Sequence, residues 1–152
     1  MTADPPVCNA TTMAWLVSDG RVLASAEIGA DRRARARGLL GRDQIDGALV
    51  LQPCRWVHTV GMRFAIDVAY VDRDGAVVKT VQMRRRRVGV PVFASAMVVE
   101  AAAGAFSRWG LRVGDVIELR GDEAPATERP VDQRQRPEHG DHPRVAVSAA
   151  PQ

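Results

Sequence analysis

Aromatic side chains are scarce in this 152-residue chain: three Phe, three Trp and one Tyr. A core built here must rest on Val, Leu, Ile and Ala. Cysteine is nearly absent. Cys8 and Cys54 form no C-x-x-C pair and no zinc spacing, which excludes a disulfide framework and a patterned zinc site and leaves two free thiols. Lysine is reduced to Lys79 alone among 21 basic residues. No run approaches the ~20 apolar residues needed to cross a bilayer as a helix. Met1–Asn9 holds Asp4 and two prolines and no basic-then-apolar pattern, so no secretory signal is read there and a cytoplasmic location is expected. Also missing are a P-loop ending, Rossmann glycine spacing, Gly-x-Ser-x-Gly, His-Glu-x-x-His and paired carboxylates. No cofactor and no metal are expected.

Hydrophobic residues make up 46% of the chain, enough for one modest core. Three segments are distinguished by composition. Residues 1–11 read as a disordered leader and residues 12–120 as a β-rich domain. Residues 121–152 read as a disordered tail, because recurrent prolines and alternating charges there bury too little surface to offset ordering entropy. His139 and His142 fall in that tail, where histidines are usually just solvated.

Within the domain, turn signals separate short apolar runs. Asp19-Gly20 predicts a hairpin between Met13–Val17 and Arg21–Ile28. Asp31 predicts the cap of a short helix running through Leu40, with Gly41 as its stop. Further strands are expected at Ala48–Leu51, Trp56–Val60, Ile66–Val71, Ala76–Met83, Met97–Ala101 and Val116–Leu119, with one helical turn at Phe106–Trp109. The expected fold class is mainly β: a small barrel-like domain of short strands with one or two short helices.

The densest chemistry lies in the run His58-Thr59-Val60-Gly61-Met62-Arg63-Phe64-Ala65-Ile66-Asp67. Polar groups set into an apolar strand must find partners or lose stability. Strand alternation puts Asp67 with Ala65 and Ala69 on one face, and Ile66, Val68 and Tyr70 on the other. Asp67 is either a structural acceptor or an acid, base or anchor at a barrel mouth. His58 either packs its ring and hydrogen-bonds a carbonyl, or accepts a proton or binds a metal, although no metal-ligand spacing accompanies it. Cys54 beside His58 offers a thiol nucleophile on paper, on spacing alone. Met62 is expected to fill a core gap. Glu100, after two valines, is expected to pair with an arginine from the Arg35–Arg42 region, as a structural bridge or the wall of an anionic-ligand pocket. Arg84-Arg85-Arg86-Arg87 is expected in a loop, where it is either solvated or available to an acidic partner or nucleic acid. The run carries no interleaved aromatics to stack bases.

Four blocks stand in a telling order: Arg35-Ala36-Arg37-Gly38-Leu39-Leu40-Gly41-Arg42, the His58–Asp72 run, Val98-Val99-Glu100-Ala101-Ala102-Ala103-Gly104, and Leu111-Arg112-Val113-Gly114-Asp115-Val116-Ile117. This arrangement resembles the DUF192 family over about residues 13–120, in its His-Thr branch, where other members read Met-Lys-Asn-Thr. The resemblance implies a compact, barrel-like β domain and no particular reaction.

Three functions are carried forward. The leading one is a non-catalytic ligand-binding or accessory module, with a shallow polar pocket drawn from His58, Thr59, Arg63, Asp67, Glu100 and Arg37. The second is a small hydrolase or isomerase using Asp67 and His58 as acid and base, a pairing that side chains on opposite faces would sink. The third is a nucleic-acid accessory protein binding through Arg84, Arg85, Arg86 and Arg87.

Overall fold

Seven strands follow one another through a computed structural model that describes residues 12–29 and 31–121. They are β1 (Thr12–Ser18), β2 (Arg21–Gly29), β3 (Ala48–Leu51), β4 (Ile66–Val71), β5 (Val77–Met83), β6 (Met97–Ala102) and β7 (Ile117–Arg120). Two short helices interrupt them, α1 (Arg32–Arg37) and α2 (Ala105–Trp109). The leader, Cys8, the tail from Asp122 and both tail histidines lie outside the described residues.

The strands form one sheet in the order β5-β4-β6-β3-β2-β1-β7. Every neighbouring pair is antiparallel except β2 and β3. The sheet curls into a half-barrel, so the fold class is mainly β as expected. Its two edges meet at one end. Ala76 and Val116 form an antiparallel bridge, the Val77 N–H donates to the Asp115 carbonyl, and the Ile117 N–H donates to the Gly75 carbonyl.

Two apolar layers result. Inside the curl, Leu16, Val50, Val71, Val99 and Ile117 meet Phe106 of α2, which plugs the interior. Outside it, Leu49, Leu51, Val68, Tyr70 and Val98 are covered by Leu39, Val57 and Met62. β4 is buried along its whole length because it faces both layers. That explains its nearly unbroken apolar sequence, which a one-sided antiparallel strand would alternate with polar residues.

The expected strand at Trp56–Val60 becomes an irregular ribbon. It carries a single bridge, His58 to Val88. The ribbon is extended by hydrogen bonds from Thr59 N–H to the Arg87 carbonyl at 2.7 Å and from Gly89 N–H to the Val57 carbonyl at 2.9 Å. Gly89 lets it lie flat on the outer layer. A Cβ there would stand 2.8 Å from the Val57 carbonyl oxygen and 3.2 Å from the Tyr70 hydroxyl. Gly89→Ala therefore forces the ribbon outward. The expected loss is about 1–3 kcal/mol, read as a lower urea midpoint, with no cavity created to confuse the result.

Helix α1 is shorter than the sequence suggested. Asp31 does cap it, its Oδ1 accepting from Ala34 N–H at 2.6 Å. The helix stops at Gly38 rather than Gly41, because Gly38 turns to φ +49° and its N–H closes on the Ala34 carbonyl. The turns beyond are tied to β2 by a two-pronged ion pair between Arg42 and Glu27, at 2.9 and 2.8 Å. The Arg42 hydrogen bond holds the Glu27 carboxyl below the usual range.

Candidate functional site

Helix α1, the turns after it and the Trp56–His58 ribbon enclose a cleft of about 350 Å³ over the outer face of the sheet. Leu39, Leu51 and Met62 supply apolar wall, and Met62 fills its gap as expected. Glu100 lies at the bottom. Strand β6 exposes Val98, Glu100 and Ala102 to the outer layer, and Glu100 stands opposite Leu49 of β3 and Val68 of β4. Its carboxylate sits under the backbone of Gly38, where a Cβ would come within 3.7 Å of Oε2.

Glu100 is 3% exposed. Its Oε2 accepts no hydrogen bond, and the same holds for the buried Nδ1 of His58. These are the two buried side-chain polar atoms without a partner among the described residues, and both residues line this cleft. Burial pushes the Glu100 carboxyl up to about 7. The arginine partner expected for Glu100 is not there. The ion pairs of the described residues join Arg42 to Glu27, Arg63 to Asp43 and Arg120 to Glu118. The exposed Arg32 and Arg37 of α1 stand at the rim of the cleft rather than at its floor.

That rim holds Arg32, Arg35 and Arg37. Arg35 is steadied by the Gln52 carbonyl at 3.4 Å. Arg32 and Arg37 are exposed and in no ion pair of the described residues. The His58 ring tilts against Trp56 with centroids 5.5 Å apart, and Trp56 Nε1 donates to the Gly89 carbonyl at 2.8 Å.

His58, Glu100 and Arg37 are thus brought together, while Thr59, Arg63 and Asp67 are not among the cleft's lining residues. Thr59 is fully buried, and its hydroxyl donates to the Arg84 carbonyl at 2.6 Å while accepting from Arg87 N–H at 2.9 Å. It staples the arginine loop. Arg63 is exposed and pairs with Asp43. Asp67 faces the interior of the curl, the other side of the sheet from Glu100. Its Oδ2 accepts from Phe106 N–H and its Oδ1 from Gln82 Nε2, each at 3.1 Å. The sheet itself therefore separates Asp67 from His58 and removes them as an acid–base couple. Cys54 fares no better as a nucleophile, since burial pushes its thiol up and its Sγ donates to the Trp56 carbonyl. Arg32 and Trp56 were missed. The capped helix was the available signal for Arg32, because it puts Arg32 and Arg35 three residues apart on one face.

Among the described residues no group of three or more His, Cys, Asp or Glu side chains could hold a metal ion. No helix among them is long and apolar enough to cross a membrane.

The family model DUF192, described as an uncharacterized ACR, matches residues 12–119, from β1 into β7 and through the whole cleft. The chain belongs to the DUF192 family. Two solved structures share the fold. One, a protein of unknown function from Novosphingobium aromaticivorans, gives a TM-score of 0.60 at 17% identity, covering 76% of this chain and 91% of that one. The other, from Sinorhizobium meliloti and provisionally described as a transcription regulator, gives 0.59 at 20% identity, covering 71% and 92%. At such identities the likeness of this DUF192 chain to them is one of fold alone. No curated protein matches it.

Proposed function

We propose that this DUF192 domain is a non-catalytic binding module whose site is the Glu100–His58 cleft. The observation that carries the reading is the convergence of the two unpartnered buried polar atoms, His58 Nδ1 and Glu100 Oε2, in one cleft. A buried polar group without a partner costs roughly 1–3 kcal/mol, and a ligand supplying the missing hydrogen bonds recovers that cost on binding. The ligand class follows from the walls. Guanidinium groups at the rim favour an anion, and the carboxylate below favours a hydrogen-bond donor. A small molecule with a negative charge at one end and a hydroxyl or amine at the other satisfies both.

A thermal-shift series with sugar monophosphates and hydroxy acids, using the uncharged parent sugars as controls, tests this. At least one anionic probe is expected to raise the melting temperature while its uncharged parent does not. Glu100→Gln and Arg37→Gln are each expected to weaken that probe by about tenfold, the equivalent of one lost charge-assisted contact. If no anionic probe shifts the melt, or the variants bind as tightly as the natural chain, the reading fails.

A further inference from the structure

A second concavity lies on the far side of the ribbon and has a different character. It has a volume of about 410 Å³ and opens between the outer face of the edge strand β5 and residues 84–90. Strand alternation turns Lys79, Val81 and Met83 of β5 to the outer layer beside Tyr70. The opposite bank is Val88, Gly89 and Val90. Val88 and Val90 are 64% and 69% exposed, an unusual amount of water contact for two valines so close together.

The charge around this apolar trough has one sign. Arg84, Arg87 and Lys79 line it, and no Asp or Glu does. None of the three cations is in an ion pair of the described residues. The two arginines are also held in place. The Thr59 hydroxyl ties down the backbone of both, while their side chains remain exposed. An apolar floor with a cationic rim carried on a tied-down backbone is complementary to an alkyl chain that ends in a negative charge. A nucleic acid would use the cations but leave the valine-and-methionine trough without a partner, and a second copy of this chain would bring its own arginines against these.

We infer that the groove between β5 and Arg84–Val90 binds an anionic amphiphile, its chain lying over Val81, Met83 and Val88 and its head held by Arg84 and Arg87. Of the two sources of this chemistry, a free fatty-acid anion and an anionic bilayer, the occupant is the free fatty-acid anion, because a trough of about 410 Å³ has the size of a small-molecule site. The site is independent of the Glu100 cleft, and either proposal stands if the other falls.

Titration calorimetry of the full chain with decanoate and with decanol, beside sedimentation with phosphatidylglycerol or phosphatidylcholine vesicles, separates the sources. Decanoate binding with one-to-one stoichiometry, at least about tenfold tighter than decanol, supports a monomeric ligand. Retention on phosphatidylglycerol but not phosphatidylcholine vesicles, with weak decanoate binding, overturns the inference in favour of a bilayer surface, and no response to any of these probes overturns it outright. Val88→Glu and the double change Arg84→Gln with Arg87→Gln are each expected to abolish the response. These side chains are exposed, so an unchanged urea melt checks that the variants fold. Arg37→Gln, at the other cleft, is expected to leave decanoate binding as it was. Equal affinity for decanoate and decanol overturns the inference. So does loss of decanoate binding on Arg37→Gln, or binding of a single-stranded oligonucleotide with no response to either lipid probe.

Discussion

Glu100→Gln is expected to gain stability relative to the natural chain as pH rises from 4.5 to 8. The carboxyl titrates at about 7 in the folded protein, because burial disfavours its charged form, against an ordinary value of 4.5. Between those two values the folded state binds more protons than the unfolded state. Stability therefore falls as pH rises through that window and levels off above about 7. Below 4.5 both states are protonated and nothing is lost. A shift of this size corresponds to a loss on the order of 3 kcal/mol, a large share of the stability of a small domain. Glutamine does not titrate, so the difference between the two proteins isolates the one group. Urea melts of both at pH 4.5, 6 and 8 are expected to show the difference widening by that amount, on top of any constant offset from the new amide. A difference that stays flat with pH would mean that the carboxyl is not held in a dry site. A ligand that donates to the carboxylate should narrow the gap, which links the pH profile to occupancy of the cleft.

Asp67 is expected to separate the need for an acceptor from the need for a charge. It is 5% exposed, and its partners are a backbone N–H and a glutamine amide, with no arginine. Asp67→Asn keeps an oxygen for Phe106 N–H, and Gln82, exposed at the edge of the sheet, can turn its amide to suit. The expected loss is less than about 1 kcal/mol. Asp67→Ala leaves the buried Phe106 N–H with nothing to donate to and opens space beside the plug, for a loss of about 2–3 kcal/mol. Denaturant midpoints of the two variants decide it. If Asn is as damaging as Ala, the charge itself is doing something that these hydrogen bonds do not explain.

The strands were legible because most are short, rich in apolar residues and set off by nearby glycine, proline or aspartate. Ala48–Leu51 and Ile66–Val71 stand where the sequence put them. Even the facing of Asp67 with Ala69 could be read from alternation, since it needs only local geometry. What could not be read was which layer each face meets. A one-sided sheet would have made Asp67 a surface group. The plug helix α2, whose partner strand is nearly 40 residues away in sequence, makes it an interior acceptor. The cleft was half legible for the same reason. His58, Glu100 and Arg37 stood out by residue type. Thr59 and Arg63 stood out equally, and only long-range partners, the Arg84–Arg87 backbone and Asp43, draw them away. The ribbon at Trp56–Val60 read as a strand because its residues suit one, but Gly61 and the approach of Gly89 to Tyr70 leave it only one bridge.

The meeting of β5 with the approach to β7 also sets a schedule for the growing chain. β1 pairs on one side with β2, its neighbour in sequence, and on the other with β7, the last strand of the described residues. The seam at Gly75–Val77 waits for Asp115 and Ile117, and Asp67 waits for Phe106. When the first hundred residues have been made, the backbone partner of Asp67 and the Phe106, Leu111 and Ile117 of the inner layer are still missing. Closure must follow synthesis of β7, and it joins positions about as far apart in sequence as the described domain allows. Such topologies fold in milliseconds to seconds rather than microseconds, and until then the valines and leucines of the inner face lack the Phe106, Leu111 and Ile117 that complete their layer.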